Sequence, residues 1–440
     1  MLFCSALLCC AAGAQERYRE SQAGEAAAAG RRRSSDERYN LLLGPIRLKL
    51  DAGLDVEYND NVFAVGNGAP KQDDLFIRPR LNVDAKWQIT PLNQLSLRLG
   101  LGYDFSLNNT LNGVNPLIIA PNSEIRFDIF AGDFRITLHD AFYLSNNASS
   151  QAPVNGTVGF SRFSQFSNDA GVTVLWDLND IVLTIGLDEL TDRFDGTTGQ
   201  PGGEIDLTVA DRDTHSLQLS SAFLLSDTLT AGLQGNALFS SYASGASQQT
   251  ILTGGPFAQF QVSAYTRFLL AGGVQLSRST GGPTFRTTVP LRDEAGAVIG
   301  TTTVASEASS SDRNDLGYYC SLSVTNRLNA SYTHSLSLGH ERTFGIASDY
   351  QDVDYFRYDA VWQVLPNTTL SGSVGYEKIN QIAGLLDEKY SRWSFGLAIG
   401  YQVTQHLRAA LRYNLYTQDS DRSGRTYDQN LAVLSLNYDF

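Results

Sequence analysis

The chain has 440 residues, a length that suits two or three soluble domains or one large all-β unit. Charged residues make up only 18% of it, below the roughly 25% of ordinary soluble domains, whereas Gly, Tyr and Phe are frequent. The net charge of -13 argues against a nucleic-acid-binding protein, because phosphate recognition needs clustered Lys and Arg.

The N-terminal sequence MLFCSALLCCAAGAQ combines a short apolar run with the small residues AGA at 12–14. This pattern predicts a secretory signal peptide over 1–14, and a lipoprotein signal through Cys10 is the alternative. The following segment, 15–43, is rich in Ala, Arg, Glu and Ser and has no apolar stripe, so we expect a flexible periplasmic segment. Outside this leader the sole cysteine is Cys320, which excludes a disulfide framework or a CxxC metal site.

From Ile46 onward, apolar and polar residues alternate, which is typical of β-strands with two different faces. In IRLKLDAGLDVEY the apolar face runs from Ile46 to Tyr58 and the other face is mostly charged. The stretch LFIRPRLNVDAKWQI alternates in the same way. Such strands are about fifteen residues long, whereas soluble strands usually have about five or six and a membrane crossing needs about 9–11.

Similar segments continue to the C-terminus and give about 18 strands in total. Tight connections such as TPLNQ, AGD and LPNT alternate with longer loops, the longest around Arg278 to Arg313. Since a sheet can cross lipid only if it closes on itself, we predict that residues 44–440 form an all-β, antiparallel up-and-down transmembrane barrel in the cell outer membrane. The expected barrel has short periplasmic turns and long extracellular loops.

A secreted β-sandwich would also alternate, but it explains neither the strand length nor the aromatic residues near strand ends, such as Trp87, Trp176 and Tyr401. The final segment, SLNYDF, ends in Phe440 and resembles the C-terminal signal by which outer-membrane barrels are recognised for assembly. The expected partners are therefore outer-membrane lipid and the barrel-assembly machinery.

The polar face of the strands is predicted to line the lumen. One interpretation of its charges is a ladder of cross-strand pairs that neutralise one another. The other is a conduit in which rows of basic residues guide anionic or polyhydroxylated solutes. The pore-lining candidates are Arg47, Lys49, Arg78, Arg80, Lys86, Arg98, Arg126, Arg135, Arg408 and Arg412.

The five histidines are scattered and fit no metal-binding spacing, so we expect no metal site, no cofactor and no enzymatic activity. Two neighbouring pairs, His139-Asp140 and His340-Glu341, keep an outer-membrane hydrolase open as a minor alternative. The acids and amides of DVEYNDNVF, at 55–63, could instead offer oxygen ligands to calcium.

The segments VEYNDNVF, DDLFIRPRLNVDAKW and TPLNQLSLRLGLGYDF resemble the β-barrel porin family that includes outer-membrane proteins of exopolysaccharide-synthesis gene clusters. The matching positions are Tyr58, Asp60, Asn61, Val62 and Phe63. The resemblance implies an outer-membrane location and a role in export or assembly of surface polysaccharide, with polysaccharide as a partner. It supplies no catalytic residues.

The predicted function is thus a passive, porin-like channel for polar or anionic solutes, with a link to exopolysaccharide. The main alternative is a non-conducting barrel that serves as a structural or surface-binding protein of the outer membrane.

Overall fold

The computed structural model describes residues 39–110, 115–146, 161–200, 203–242, 247–281, 284–292, 298–307, 313–344, 350–382 and 388–440. The predicted signal peptide over 1–14 and most of the predicted segment over 15–43 lie outside these ranges. The end of that segment is described: strand β1 (Leu41–Leu43) pairs antiparallel with the first residues of the next strand, Ile46 to Leu48.

Most of the described chain is β-strand, as the alternation predicts. The wall strands are β2 (Ile46–Asn59), β3 (Asp74–Thr90), β4 (Asn93–Tyr103), β6 (Leu117–Ala131), β7 (Phe134–Asn146), β8 (Ser161–Asp177), β9 (Ile181–Gln200), β11 (Arg212–Ser226), β12 (Leu229–Tyr242), β13 (Ser247–Ser263), β14 (Thr266–Gly281), β17 (Arg313–Asn326), β18 (Tyr332–Phe344), β19 (Tyr350–Leu365), β20 (Thr368–Ile382), β21 (Lys389–Gln402), β22 (Leu407–Ser420) and β23 (Tyr427–Asp439). β5 (Phe105–Ser106) continues the ladder of β4 with β3 in the same register. Three smaller strands lie in the longer connections: β10 (Gly203–Asp206), β15 (Thr284–Arg292) and β16 (Val298–Glu307). A 3-10 turn at Leu207–Ala210 follows β10.

Each wall strand pairs antiparallel with the next wall strand along the chain, and β2 pairs with β23 to close the sheet. At the closure Leu54 lies opposite Leu436 and, on its other side, Pro79. The wall therefore has 18 strands, and the predicted closed antiparallel barrel of about 18 strands is confirmed. Because of this closure, the backbones of the first and last wall strands, β2 and β23, are paired on both sides, as a sheet in lipid requires.

The two ends of the barrel differ in their connections. At one end the strands are joined by tight turns such as 91–92 and 132–133, where Gly132 has a φ of 61°, a conformation that glycine adopts without strain. The other end carries the longer connections, including the β15–β16 hairpin, which pairs with β10. Short periplasmic turns and longer extracellular loops are the rule in outer-membrane barrels, so the two ends are assigned accordingly.

The outer surface of the wall is apolar. On β21 the residues Trp393, Phe395, Leu397, Ile399 and Tyr401 all point outward and are exposed, with aromatic rings at the two ends of the row. Large apolar side chains recur at alternate positions on the other wall strands, which makes the outside of the sheet suited to lipid rather than to water. The chain is thus an outer-membrane β-barrel.

Among the described residues, no helix is long and apolar enough to cross a membrane, a finding that does not bear on strands.

Candidate functional site: the barrel lumen

The alternation that turns apolar residues outward places the ten predicted pore-lining residues on the inner face of the wall. They do not share one environment. Arg78 is buried at the extracellular end, where it is 6% exposed, whereas the others are half-buried or exposed. The inner face therefore contains both buried and solvent-accessible basic side chains, and the two kinds are described separately.

Arg78 belongs to a buried network of charges. Its Nη1 donates to Glu57 Oε2 at 2.6 Å, and its Nε donates to Asp104, which lies between β4 and β5. Asn146 Nδ2 on β7 donates to the other oxygen of Asp104 at 2.7 Å. The guanidinium carbon lies 5.0 Å from the ring centroid of Phe76. Arg78 thus fastens the extracellular ends of neighbouring strands together and does not present its charge to a solute.

Similar networks occupy other positions near the extracellular end. Arg392 Nη2 and Arg357 Nη2 donate to the two oxygens of Glu377, at 2.8 and 3.0 Å. Arg212 donates to Asp192 at 3.0 Å, and both are buried. Arg392 was expected on the inner face from its sequence position, whereas Arg357, Glu377, Arg212 and Asp192 were not predicted as site residues. The shared inner-face parity of the arginines and acids is the signal that could have found them.

A row of basic residues crosses the inner face near the periplasmic end. Arg47 on β2 lies directly opposite Lys86 on β3, which lies opposite Ser96 on β4, which in turn lies opposite Arg126 on β6. Like charges directly opposite one another destabilise a sheet, and the facing positions Arg47 and Lys86 do not neutralise each other. We call these three basic residues, with Ser96 between them, the basic row.

The adjacent row of the inner face shows the opposite arrangement. Lys49, Asp84, Arg98 and Glu124 lie opposite one another in succession on β2, β3, β4 and β6, so their charges alternate in sign. Arg98 Nε donates to Asp84 at 3.2 Å, and both side chains are largely exposed. Both interpretations of the lumen charges therefore have a counterpart in the structure, in neighbouring rows.

Arg80, Arg126 and Arg135 form ion pairs on the inner face. Arg80 Nη2 donates to Asp55 at 2.8 Å. Arg126 and Arg135 share one carboxylate, that of Asp128, at 3.1 and 3.2 Å. Arg126 belongs to the basic row, so two guanidinium groups on one carboxylate leave a net positive charge at that end of the row.

Two more predicted basic residues lie on β22. Arg408 Nε donates to Gln402 at 3.1 Å. Arg412 lies four residues further along β22, on the same inner face and closer to the extracellular end. Phe440, the predicted assembly signal, is exposed at the periplasmic end, and its ring contacts Tyr438 edge-on at 5.3 Å between centroids.

The neighbouring His139 and Asp140 point to opposite faces of β7. His139 Nε2 lies inside, 3.4 Å from Asp188 and 3.9 Å from Asp169, and these three side chains are close enough together to hold a metal ion. Gly171 lies between His139 and Asp188 in the register, and the Asp188 carboxylate fills the space that a Cβ there would take. Asp140 instead accepts a hydrogen bond from Asn168 at 2.5 Å.

His340 is paired with Asp354 of β19 and not with its chain neighbour Glu341. Its Nδ1 lies 2.7 Å from Asp354 Oδ1, and its ring stacks on Tyr318 with 4.4 Å between centroids, on the outer surface. Neither of the two neighbouring pairs considered for a hydrolase therefore forms a histidine–acid dyad.

The DVEYNDNVF segment has a structural role at the extracellular rim. Asn61 is buried, donates to the carbonyl oxygens of Val65 and Asp428, and accepts the N–H of Val65. The two carboxylate oxygens of Asp60 accept the backbone and side-chain N–H groups of Asn430 at 2.7 and 2.6 Å. The segment thereby joins the first extracellular loop to the last strand across the closure of the barrel.

No protein-family model and no curated protein matches the chain. Among solved structures it is similar to Pseudomonas aeruginosa OccK2 (OpdF), in complex with glucuronate, at 12% identity and a TM-score of 0.44, covering 89% of this chain and 98% of that one. Acinetobacter baumannii OccAB2 matches at 10% identity and a TM-score of 0.44, over 90% and 98% of the two chains. Pseudomonas aeruginosa OpdK with vanillate matches at 11% identity and a TM-score of 0.43, over 89% and 99%. At these TM-scores the likeness is distant, and the lumen is interpreted from its own residues.

Proposed function

We propose that the chain is a passive outer-membrane channel for small polar or anionic solutes and that the barrel lumen is the conduit. The basic row supports this proposal most directly. Its residues face inward near the periplasmic end, and two of them, Arg47 and Lys86, lie directly opposite each other. A lumen lined only by neutralising pairs would place opposite charges across from each other, whereas these two facing positions carry like charges. Accessible positive charge along a water-filled path favours anions.

The charge of the basic row is tested by reversing it. In a planar bilayer with a tenfold salt gradient, we expect the wild-type barrel to show a reversal potential on the anion-selective side. The double variant Arg47→Glu, Lys86→Glu should lower the anion-to-cation permeability ratio by about two- to tenfold, since unit charges a few ångströms from a permeating ion contribute about 1 kcal/mol in water.

A matched control uses Lys378→Glu on β20, which changes net charge at an exposed position outside the lumen lining. Its reversal potential should equal that of the wild type. Unchanged selectivity in the double variant would reject the role of the basic row, and no current from any form of the barrel would favour the non-conducting alternative. Arg78 is unsuitable for this experiment, because a glutamate there would lie buried beside Glu57 and Asp104.

The role in exopolysaccharide export or assembly, which the family resemblance implies, stays a prediction. Polysaccharide is a polyhydroxylated solute, and adding the purified polymer to the same bilayer would show whether it blocks the current.

A further inference from the structure

The ladder between β17 and β18 stops partway up the wall. It runs from Asn326 opposite His334 to Cys320 opposite His340. By contrast, β14 pairs with β17 as far as Arg313, and β18 pairs with β19 as far as Phe344. Among the described residues, the extracellular parts of β17 and β18 are therefore not joined by the ladder that joins the other neighbouring wall strands.

Above this split, the backbone of β18 lies inside the barrel. Gln275 of β14 points inward, and its Nε2 donates to the carbonyl oxygen of Arg342 at 2.8 Å. The N–H of Arg342 donates to Gln275 Oε1 at 3.1 Å. A side chain thus pairs with both polar groups of one residue of β18, as a neighbouring strand would. Because β14 is two strands away from β18 along the wall, β18 must cross over the inner face of β17.

The side chain of Arg342 holds the crossing in place. Its guanidinium donates to both oxygens of Asp352 on β19, at 2.6 and 3.1 Å, and to Ser277 Oγ of β14 at 3.3 Å. Asp315 of β17 lies 3.8 Å away and also accepts the hydroxyl of Tyr350 at 3.4 Å. These polar contacts attach the described ends of β18 and β19, at Arg342 and Tyr350, to the inner faces of β14 and β17.

The hairpin extends far into the lumen. The guanidinium carbon of Arg212 on β11 lies 5.9 Å from the ring centroid of Phe344, the last residue of β18. These residues belong to strands that are five positions apart in the wall, which corresponds to about 24 Å along the wall at the usual strand spacing. The β18–β19 hairpin consequently spans much of the extracellular half of the lumen.

The pairing register of β17 and β18 can be extended beyond Cys320 and His340. Extending the register of β17 and β18 would put Thr343 opposite Gly317 and Phe344 opposite Leu316. Leu316 now points outward and is 74% exposed, the highest value among the large apolar side chains of the described residues, and Tyr318 next to it is 59% exposed. In the extended register Phe344 would cover Leu316, and the two strand edges would satisfy each other.

We propose that the β18–β19 hairpin is the gate of the channel. In the structure it lies across the lumen. In the alternative state Arg342 and Tyr350 leave Gln275 and Asp315, β18 completes the ladder with β17, and the conduit is cleared. The ladder between β19 and β20 is complete up to Tyr350 opposite Ile382, so β19 stays paired with β20 while the hairpin moves. The two states exchange one set of hydrogen bonds for another of similar size, as a bistable element requires. This inference rests on the proposed channel function.

The wall-completing state can be trapped by a disulfide between Gly317→Cys and Thr343→Cys, in a Cys320→Ser background. A Cβ at position 317 has its nearest neighbour at 3.8 Å, so the cysteine fits. We expect the bond to form under mild oxidation in membranes, and we expect the oxidised barrel to conduct several-fold more than the same barrel after reduction. A bond that does not form, or that forms without changing the conductance, would overturn the gate.

A second variant acts on the lumen-spanning state without a cross-link. Gln275→Ala removes the two hydrogen bonds to the Arg342 backbone and should shift the equilibrium toward the open state by about five- to thirtyfold, seen as open probability. Gln218→Ala on β11 is the matched control, because Gln218 bonds to Asp188 and not to the hairpin. Equal behaviour of the two variants would overturn the gate. Absence of current in every form would reject the channel function itself, whereas a conducting barrel in which the disulfide never forms would reject the gate alone.

Discussion

The arginines of the inner face differ in what surrounds them, and these differences determine their roles. Arg78 has two buried carboxylates as partners, those of Glu57 and Asp104, and Glu57 is 0% exposed. Removing one partner of a buried ion pair leaves an uncompensated charge, which is far more costly than losing an exposed pair. Arg78 therefore stabilises the barrel, whereas the half-exposed pair of Arg98 and Asp84 contributes little.

This difference gives a prediction for stability. Arg78→Met should lower the free energy of unfolding by about 3–5 kcal/mol, because Glu57 and Asp104 then lose their counter-charge. The matched control Arg98→Met should change it by less than about 1 kcal/mol. Urea unfolding of the barrel in lipid vesicles measures both. Similar values for the two variants would contradict the buried network.

Sequence alternation predicted the face on which these residues lie but not their burial. The parity of β3 places Arg78 and Arg80 inside together, yet only Arg78 meets Asp104, which comes from the segment after β4. Such contacts depend on the bend of the chain between strands, which a period of two residues does not encode. The suggested pairing of His139 with Asp140 is a different case: the period of two residues already places neighbours on opposite faces of a strand, and the pairing overlooked it.

The strands themselves are the most predictable part of the molecule. Their alternation gave a correct count because each strand has one face in lipid and one in the lumen, and the two faces need different side chains. The position of the β18–β19 hairpin inside the lumen was not predicted, because apolar and polar residues alternate in the same way along the whole of β18. The short loop strands β10, β15 and β16 were not predicted either, because they have no lipid face to impose a pattern.

The face assignment is tested on β12, where two neighbouring residues point to opposite sides. Leu233 is exposed on the outer surface, and Gln234 points inward, where it donates to the hydroxyl of Tyr319 at 3.3 Å. Leu233→Arg should cost about 2–4 kcal/mol of stability in vesicles, as expected for a charge facing the middle of the bilayer. Gln234→Arg should cost clearly less, because its side chain reaches water. The reverse order of the two costs would contradict the assignment.

At the scale of the whole molecule, the closed sheet separates lipid from a polar interior whose two ends differ. Near the periplasm the inner face carries the basic row and solvent-exposed charges. Near the extracellular side it is filled by buried ion pairs and by the β18–β19 hairpin. The charged side chains of the inner face are therefore more exposed near the periplasmic end than near the extracellular end. We propose that ions pass through this interior.

Conduction through the lumen can be tested by cysteine modification in the Cys320→Ser background. Ser96→Cys places a thiol on the inner face between Lys86 and Arg126, and Leu97→Cys places one on the lipid side of the same strand. A charged, membrane-impermeant methanethiosulfonate reagent added during single-channel recording should lower the conductance of Ser96→Cys in discrete steps and leave that of Leu97→Cys unchanged. A conductance that does not respond at Ser96→Cys, or that responds equally in both variants, would contradict conduction through the lumen.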